Sequence, residues 1–185
     1  MRSSESTHSR SPSHRIPLLI VLADEDHPRA CTGRRLVRGG FARSLDVAGG
    51  APRGAVILDP HAAIPLSRAD TSRASTGVVA VDCSWNAFER RGRFPGRWQP
   101  DARSRRRLPL LLAGNAQHYA RLGELNTAEA LAAAVYLLES AGRAESILDG
   151  AGLGRSFLEL NAEPLAGYRA AHDAAGILAT ERSFF

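Results

Sequence analysis

Three apolar runs punctuate the first half of the chain, and none of them alternates with polar positions. Ile16 to Ala23 (IPLLIVLA), Ala55 to Leu58 and Gly77 to Val81 are each expected to form a strand. Strands apolar on both faces belong to a small parallel sheet covered on both sides, because a half-solvated antiparallel strand alternates with period two. Each run empties into a polar phrase: Asp24-Glu25-Asp26-His27-Pro28, Asp59-Pro60 and Asp82-Cys83-Ser84-Trp85. Ligands of open parallel sheets sit at those carboxyl ends. Between the strands, Thr32 is expected to cap a short helix over Gly33 to Phe41, limited by Gly39-Gly40, and Pro65 to Asp70 read as a turn and brief helix start.

Beyond Leu108 the period changes. Helices are expected over Thr127 to Ser140, Ala144 to Asp149, Gly154 to Leu160 and Pro164 to about Ala175, with Thr180 to Phe185 fraying. The junction Leu125-Asn126-Thr127-Ala128-Glu129-Ala130 joins a polar loop to an Ala-rich helix. Asn126 or Thr127 can accept an unpaired first-turn N–H, and Glu129 suits the positive end of the dipole. A helix start of this kind also suits a carboxylate or phosphate, so the loop before it is a candidate small-molecule site.

The organisation that follows is α/β: a disordered basic tail over 1–15, an N-terminal parallel-sheet lobe over 16–88, an Arg-rich linker over 89–107 and a helical C-terminal lobe over 108–185. Arg10 and Arg15 before IPLLIVLA resemble a secretory signal, yet an eight-residue run carrying Pro17 reads better as a first strand. No run approaches the ~18 to 20 continuous apolar residues of a membrane span, so no membrane partner is expected.

Composition sharpens the choice of partner. Hydrophobic residues make up 44% and charged residues 23% of the chain, which is ordinary for a packed domain, and the net charge is +5. All 24 basic residues are Arg, and guanidinium groups make bidentate phosphate contacts and stack on bases. A nucleic-acid partner is expected. Residues 89 to 107 hold eight Arg, with Phe94 and Trp98 offering faces for stacking, although such a run also suits a solvated linker. Cys31 and Cys83 show neither CxxC nor Cys/His zinc spacing, so no metal and a reducing, cytoplasmic setting are expected.

Five phrases recur in order: Asp26-His27-Pro28-Arg29-Ala30-Cys31-Thr32-Gly33, Leu58-Asp59-Pro60, Asp82-Cys83-Ser84-Trp85, the block Leu108 to Ala134, and Phe157-Leu158-Glu159-Leu160-Asn161. Together they resemble the small-subunit ribosomal RNA aminocarboxypropyltransferases of archaea and eukaryotes, over residues 16 to about 170. The resemblance implies a SPOUT-like knotted fold with S-adenosylmethionine (SAM) held between an α/β lobe and a helical lobe. It implies transfer of the 3-amino-3-carboxypropyl group of SAM to N3 of a uridine or N1-methylpseudouridine in small-subunit rRNA, with methylthioadenosine released.

Carried over by position, Thr32 matches the loop near the amino-acid end of SAM, and Trp85 the aromatic beside its methionine chain. Leu58, Pro60, Leu108 and Leu125 match the apolar walls of the adenine pocket; Val81 offers its backbone to the ribose, and Thr127 lies by the transferred group. Without the resemblance, the leucines and Trp85 read equally well as core. Asp82 is a candidate base for the N3–H, or, as an Asp at a strand end, the cap of a neighbouring helix or turn. Arg34, Arg35 and Arg38, with Arg105, Arg106 and Arg107, are the candidate RNA contacts.

The chain departs from the family in one loop. Gly114-Asn115-Ala116-Gln117-His118-Tyr119 stands where the family shows Ala-Asn-Pro-Val-Asn-Tyr, and Ala120-Arg121-Leu122 where it shows Gly-Lys/Arg-Pro. Loss of the prolines is expected to loosen the loop. SAM-dependent RNA methylation and a non-catalytic, rRNA-binding assembly factor are the competing functions, and a monomer is expected because no apolar stripe is left over beyond the core.

Overall fold

The computed structural model of the chain describes residues 15–23, 31–46, 50–85, 90, 92, 94 and 98–185. The expected tail, the acidic turn Asp24 to Pro28 and much of the Arg-rich segment therefore lie outside the described residues.

Five parallel strands form one sheet: β1 (Leu18–Leu22), β2 (Arg43–Ser44), β3 (Val56–Leu58), β4 (Val78–Asp82) and β5 (Arg105–Arg106), in the order β2-β1-β4-β3-β5. β1 and β4 pair along their whole length, from Leu18 opposite Val78 to Leu22 opposite Asp82. Successive strand residues face opposite sides, and here both sides are dry. Leu18, Ile20, Val56, Leu58, Val78 and Ala80 join the larger core, while Leu19, Val21, Ala55, Ile57 and Val79 join a smaller one with Phe94. The unbroken apolar runs are the sequence signature of that double burial.

Helices α1 (Thr32–Arg38) and α2 (Thr71–Ala74) connect the strands, and α3 (Thr127–Leu138), α4 (Ala141–Gly150), α5 (Ser156–Leu160), α6 (Ala162–Ala170) and α7 (Ala174–Phe184) follow. α3 is the central helix: Ala128 and Leu131 to Val135 are all buried, against β4, α1, α4 and α6. Alanine suits that place, because it propagates a helix well and lets four neighbours approach closely. The larger core runs through the whole chain, from Ile16 to Ile177.

Three expectations are corrected. Thr32 opens α1 instead of capping it; the cap is Cys31, whose Sγ accepts the Arg34 N–H at 3.3 Å, and the helix ends at Arg38, before Gly39-Gly40. β5 lies inside the segment read as a linker, pairing Ile57 with Arg105 and Leu58 with Arg106. The C-terminus does not fray: Asp173 caps α7 by accepting the Gly176 N–H at 2.9 Å, and Ile177 is fully buried.

Candidate functional site

A cavity of about 580 Å³ opens where β3 and β4 end and α1 and α3 begin. Leu58 and Pro60 reach it from the end of β3, and Val81, Asp82 and Trp85 from the end of β4. Thr32 contributes from α1, Leu108 from the chain after β5, and Leu125 and Thr127 from the start of α3. Residues as far apart in sequence as Cys31 and Leu153 thus meet around one space within the roughly 300–1,000 Å³ of ligand sites.

Asp82 ties two helix starts to the sheet. Its Oδ1 accepts the Thr127 hydroxyl and its Oδ2 the Cys31 thiol, both at 2.5 Å, and the side chain is buried. Burial, joined by the bond to Asp82, pushes the Cys31 thiol up to about 11, so it remains a neutral donor at physiological pH. Gly33 makes the approach possible: a Cβ there would lie 2.6 Å from Asp82 Oδ2. Both oxygens are thus engaged by side chains of the residue that caps α1 and the residue that opens α3. Trp85 is fixed in the same wall, with Nε1–H donating to the Leu125 carbonyl at 2.9 Å.

The capping pattern at 126–129 is a full capping box. Asn126 Oδ1 accepts the Glu129 N–H at 2.9 Å, and Glu129 Oε2 accepts the Asn126 N–H at 2.9 Å. Glu129, only 1% exposed, also accepts the Gly114 N–H and the Asn115 amide, both at 2.8 Å. Its charge is thus spread over donors of the loop that lacks the family's prolines. That loop is a hairpin in which Leu112 faces Leu122, with Ala113 N–H donating to Arg121 O at 2.9 Å and Ala120 N–H to Ala113 O at 2.7 Å. Ala120 sits at φ 60°, the left-handed region that favours the family's glycine.

The distant Phe157-to-Asn161 phrase supports the same strip. Fully buried Asn161 brackets Leu112, accepting its N–H and donating to its carbonyl, each at 2.8 Å. Phe157 packs so closely that a Cβ on Gly114 would lie 2.7 Å from its Cα.

The candidate RNA contacts divide. Arg38 is exposed and Arg34 half-buried on α1; Arg35 lines the cavity, with Nη1 donating to the Ala151 carbonyl at 2.8 Å. Arg105 is partly open beside Asp59, at 3.2 Å. Arg106 and Arg107 each pair with a carboxylate of the fold. Arg106 is buried against Asp70 at 2.9 Å, and Arg107 meets Glu181 of α7 with two bonds of 2.6 and 2.8 Å. That pairing raises the Arg107 pKa further, and the side chain, 20% exposed, remains in the cavity lining.

Cys31, Asn115 and His118 also line the cavity and were not among the candidates. Cys31 lacked any metal-like spacing, and its role as a cap depends on Asp82, 51 residues away.

A family model described as "Ribosome biogenesis protein, C-terminal" matches residues 56–185. A 16S rRNA aminocarboxypropyltransferase of Methanosarcina mazei is 40% identical over 170 residues, covering 92% of this chain and 95% of that protein. An 18S rRNA aminocarboxypropyltransferase of Schizosaccharomyces pombe is 37% identical, covering 92% of this chain and 58% of its own. The structure of the SAM-dependent rRNA:acp-transferase from Vulcanisaeta distributa superposes with a TM-score of 0.75 at 33% identity, covering 91% of this chain and 98% of that one.

Proposed function

Because the chain belongs to the family of 16S and 18S rRNA aminocarboxypropyltransferases, we propose that it transfers the 3-amino-3-carboxypropyl group of SAM to N3 of a uridine or N1-methylpseudouridine in small-subunit rRNA. The observation that carries this reading is the cavity itself. Its lining fits the co-substrate: apolar side chains of Leu58, Pro60, Leu108 and Leu125 suit a heterocycle, and the hydroxyls of Thr32 and Thr127 suit an amino-acid end.

A sulfonium already activates all three of its carbon substituents, so the protein has to choose which carbon the nucleophile can reach. In the proposed reaction the N3–C bond forms as the S–C bond breaks, the N3 proton passes to solvent or a base, and methylthioadenosine leaves. Positioning alone can supply several kcal/mol of such a barrier. Trp85 would hold the methionine chain, its ring oriented by the bond to Leu125, and Val81 would meet the ribose through its backbone. Asp82 would act as a positioning residue, keeping the Thr127 hydroxyl and the start of α1 in place.

Arg34, Arg35, Arg38 and Arg105 would meet RNA phosphates, where guanidinium forks bind well. The knotted, SPOUT-like chain path and the two-lobed layout belong to the same proposal, supported by the parallel sheet and by a cavity walled by both halves of the chain. A cytoplasmic setting belongs to the same proposal, supported by the rRNA substrate, and the chemistry asks for neither a metal nor a second copy. The test is to incubate the purified protein with small-subunit rRNA and SAM and to weigh both products. An aminocarboxypropyl nucleoside with methylthioadenosine is expected; a methylated nucleoside with S-adenosylhomocysteine would overturn the proposal in favour of methylation.

A further inference from the structure

The hairpin beside the cavity carries an aromatic ring that packing does not use. Tyr119 is 61% exposed, the most exposed large apolar side chain among the described residues, and Leu122 on the same hairpin is 44% exposed. Core formation explains neither, since a folding chain gains by covering a ring of this size.

The scaffold under the ring is held by hydrogen bonds. Gly123 N–H donates to Leu111 O at 2.8 Å and Arg121 N–H to His118 O at 2.9 Å, while Asn115 accepts the His118 N–H at 3.0 Å through its side chain. Glu129, Phe157 and Asn161 hold the base of the hairpin. Immediately after the ring, Ala120 takes φ 60°, a conformation that non-glycine residues adopt at a cost and that clusters at functional sites.

Its place is the rim of the cavity: Gln117 and His118 before it and Gly123 after it are lining residues. Arg121, two positions on, has a side chain 63% exposed, with its nearest carboxylate, on Glu124, at 3.4 Å.

We propose that Tyr119 is a stacking platform for RNA, receiving the face of a base next to the nucleotide that enters the cavity, with Arg121 beside it for the backbone. This rests on the function proposed above. An aromatic ring flanked by a guanidinium is the chemistry by which proteins hold unpaired bases, and it suits any base because each has a π face. An excess of 24 Arg over 19 acidic residues favours a nucleic acid over an acidic or apolar protein surface at this rim.

The experiment compares Tyr119→Ala and Tyr119→Phe with the unaltered full chain, using a transcript of small-subunit rRNA for filter binding and SAM alone for calorimetry. Tyr119→Ala is expected to weaken RNA binding about 5- to 150-fold, the equivalent of roughly 1–3 kcal/mol for one stacked base. Tyr119→Phe keeps the face and is expected to bind within about twofold of the original, with SAM affinity and melting temperature unchanged in both. RNA affinity unchanged in Tyr119→Ala overturns the platform while leaving the proposed reaction standing. The same result with loss of self-association on sedimentation would assign the ring to a second copy. Failure of the unaltered protein to bind the transcript overturns the proposed function and the platform with it.

Discussion

Asp82 distinguishes two kinds of role that a carboxylate at a strand end can play. A base must present a free lone pair to the substrate, whereas this one spends an oxygen each on Cys31 and Thr127. Asp82→Asn separates the roles, because an amide offers one acceptor and turns its NH2 toward the other donor. We expect SAM affinity to fall by at least about tenfold, and stability by roughly 1–3 kcal/mol, from a buried donor left without an acceptor. The pH profile of kcat/KM should keep its shape. Unchanged SAM affinity with loss of the acidic limb of that profile would instead make Asp82 the base. The same reasoning explains why Cys31 matters without being reactive: a neutral thiol can donate to a carboxylate, and its raised pKa keeps it neutral.

Elements at the margin of the sequence signal turn out to depend on charges that meet only in three dimensions. β5 is two arginines long and offers no apolar pattern, and its place in the sheet follows from Arg106 finding Asp70 within the fold. Thr180 to Phe185 read as a fraying chain end, yet Glu181 within that stretch reaches Arg107 and also accepts the Leu110 N–H at 3.0 Å. Glu181→Ala should destabilise the protein by roughly 3 kcal/mol, since it leaves a largely buried guanidinium without its partner. Exposed Arg182→Ala on the same helix should change stability by no more than about 0.5 kcal/mol, and denaturant unfolding of the two variants checks the contrast. What could be read in advance were the patterns with a local cause. The unalternating β1, β3 and β4 announced a doubly covered sheet, and Asn126 with Glu129 announced a helix start. The cavity residues were legible through family phrases, because Leu58, Trp85 and Leu108 individually look like core. The pairing of Arg106 and Arg107 with carboxylates was hidden for the opposite reason: a run of arginines looks alike whether its partners are phosphates or distant carboxylates.

At the scale of the whole molecule, the cavity and the larger core are built from the same long-range pairings. Strands β3 and β4 supply one wall and α3 another, while the core beneath them draws on residues from Ile16 to Ile177. A ligand that bridges those walls stabilises every element at once, so the chain should unfold in one transition that responds to SAM as a unit. SAM at about 100 times its Kd adds roughly 2.7 kcal/mol, and for a chain of this length each kcal/mol is worth roughly 2–4 °C. Calorimetry should therefore show a single endotherm displaced upward by roughly 5–11 °C. Two endotherms, only one of them displaced, would mean that the sheet half and the helical half unfold independently, and that the shared core is too weak to couple them. A variant in the Asp82 and Thr127 pair should lose most of that displacement, because the link it removes joins the cavity wall to the fold.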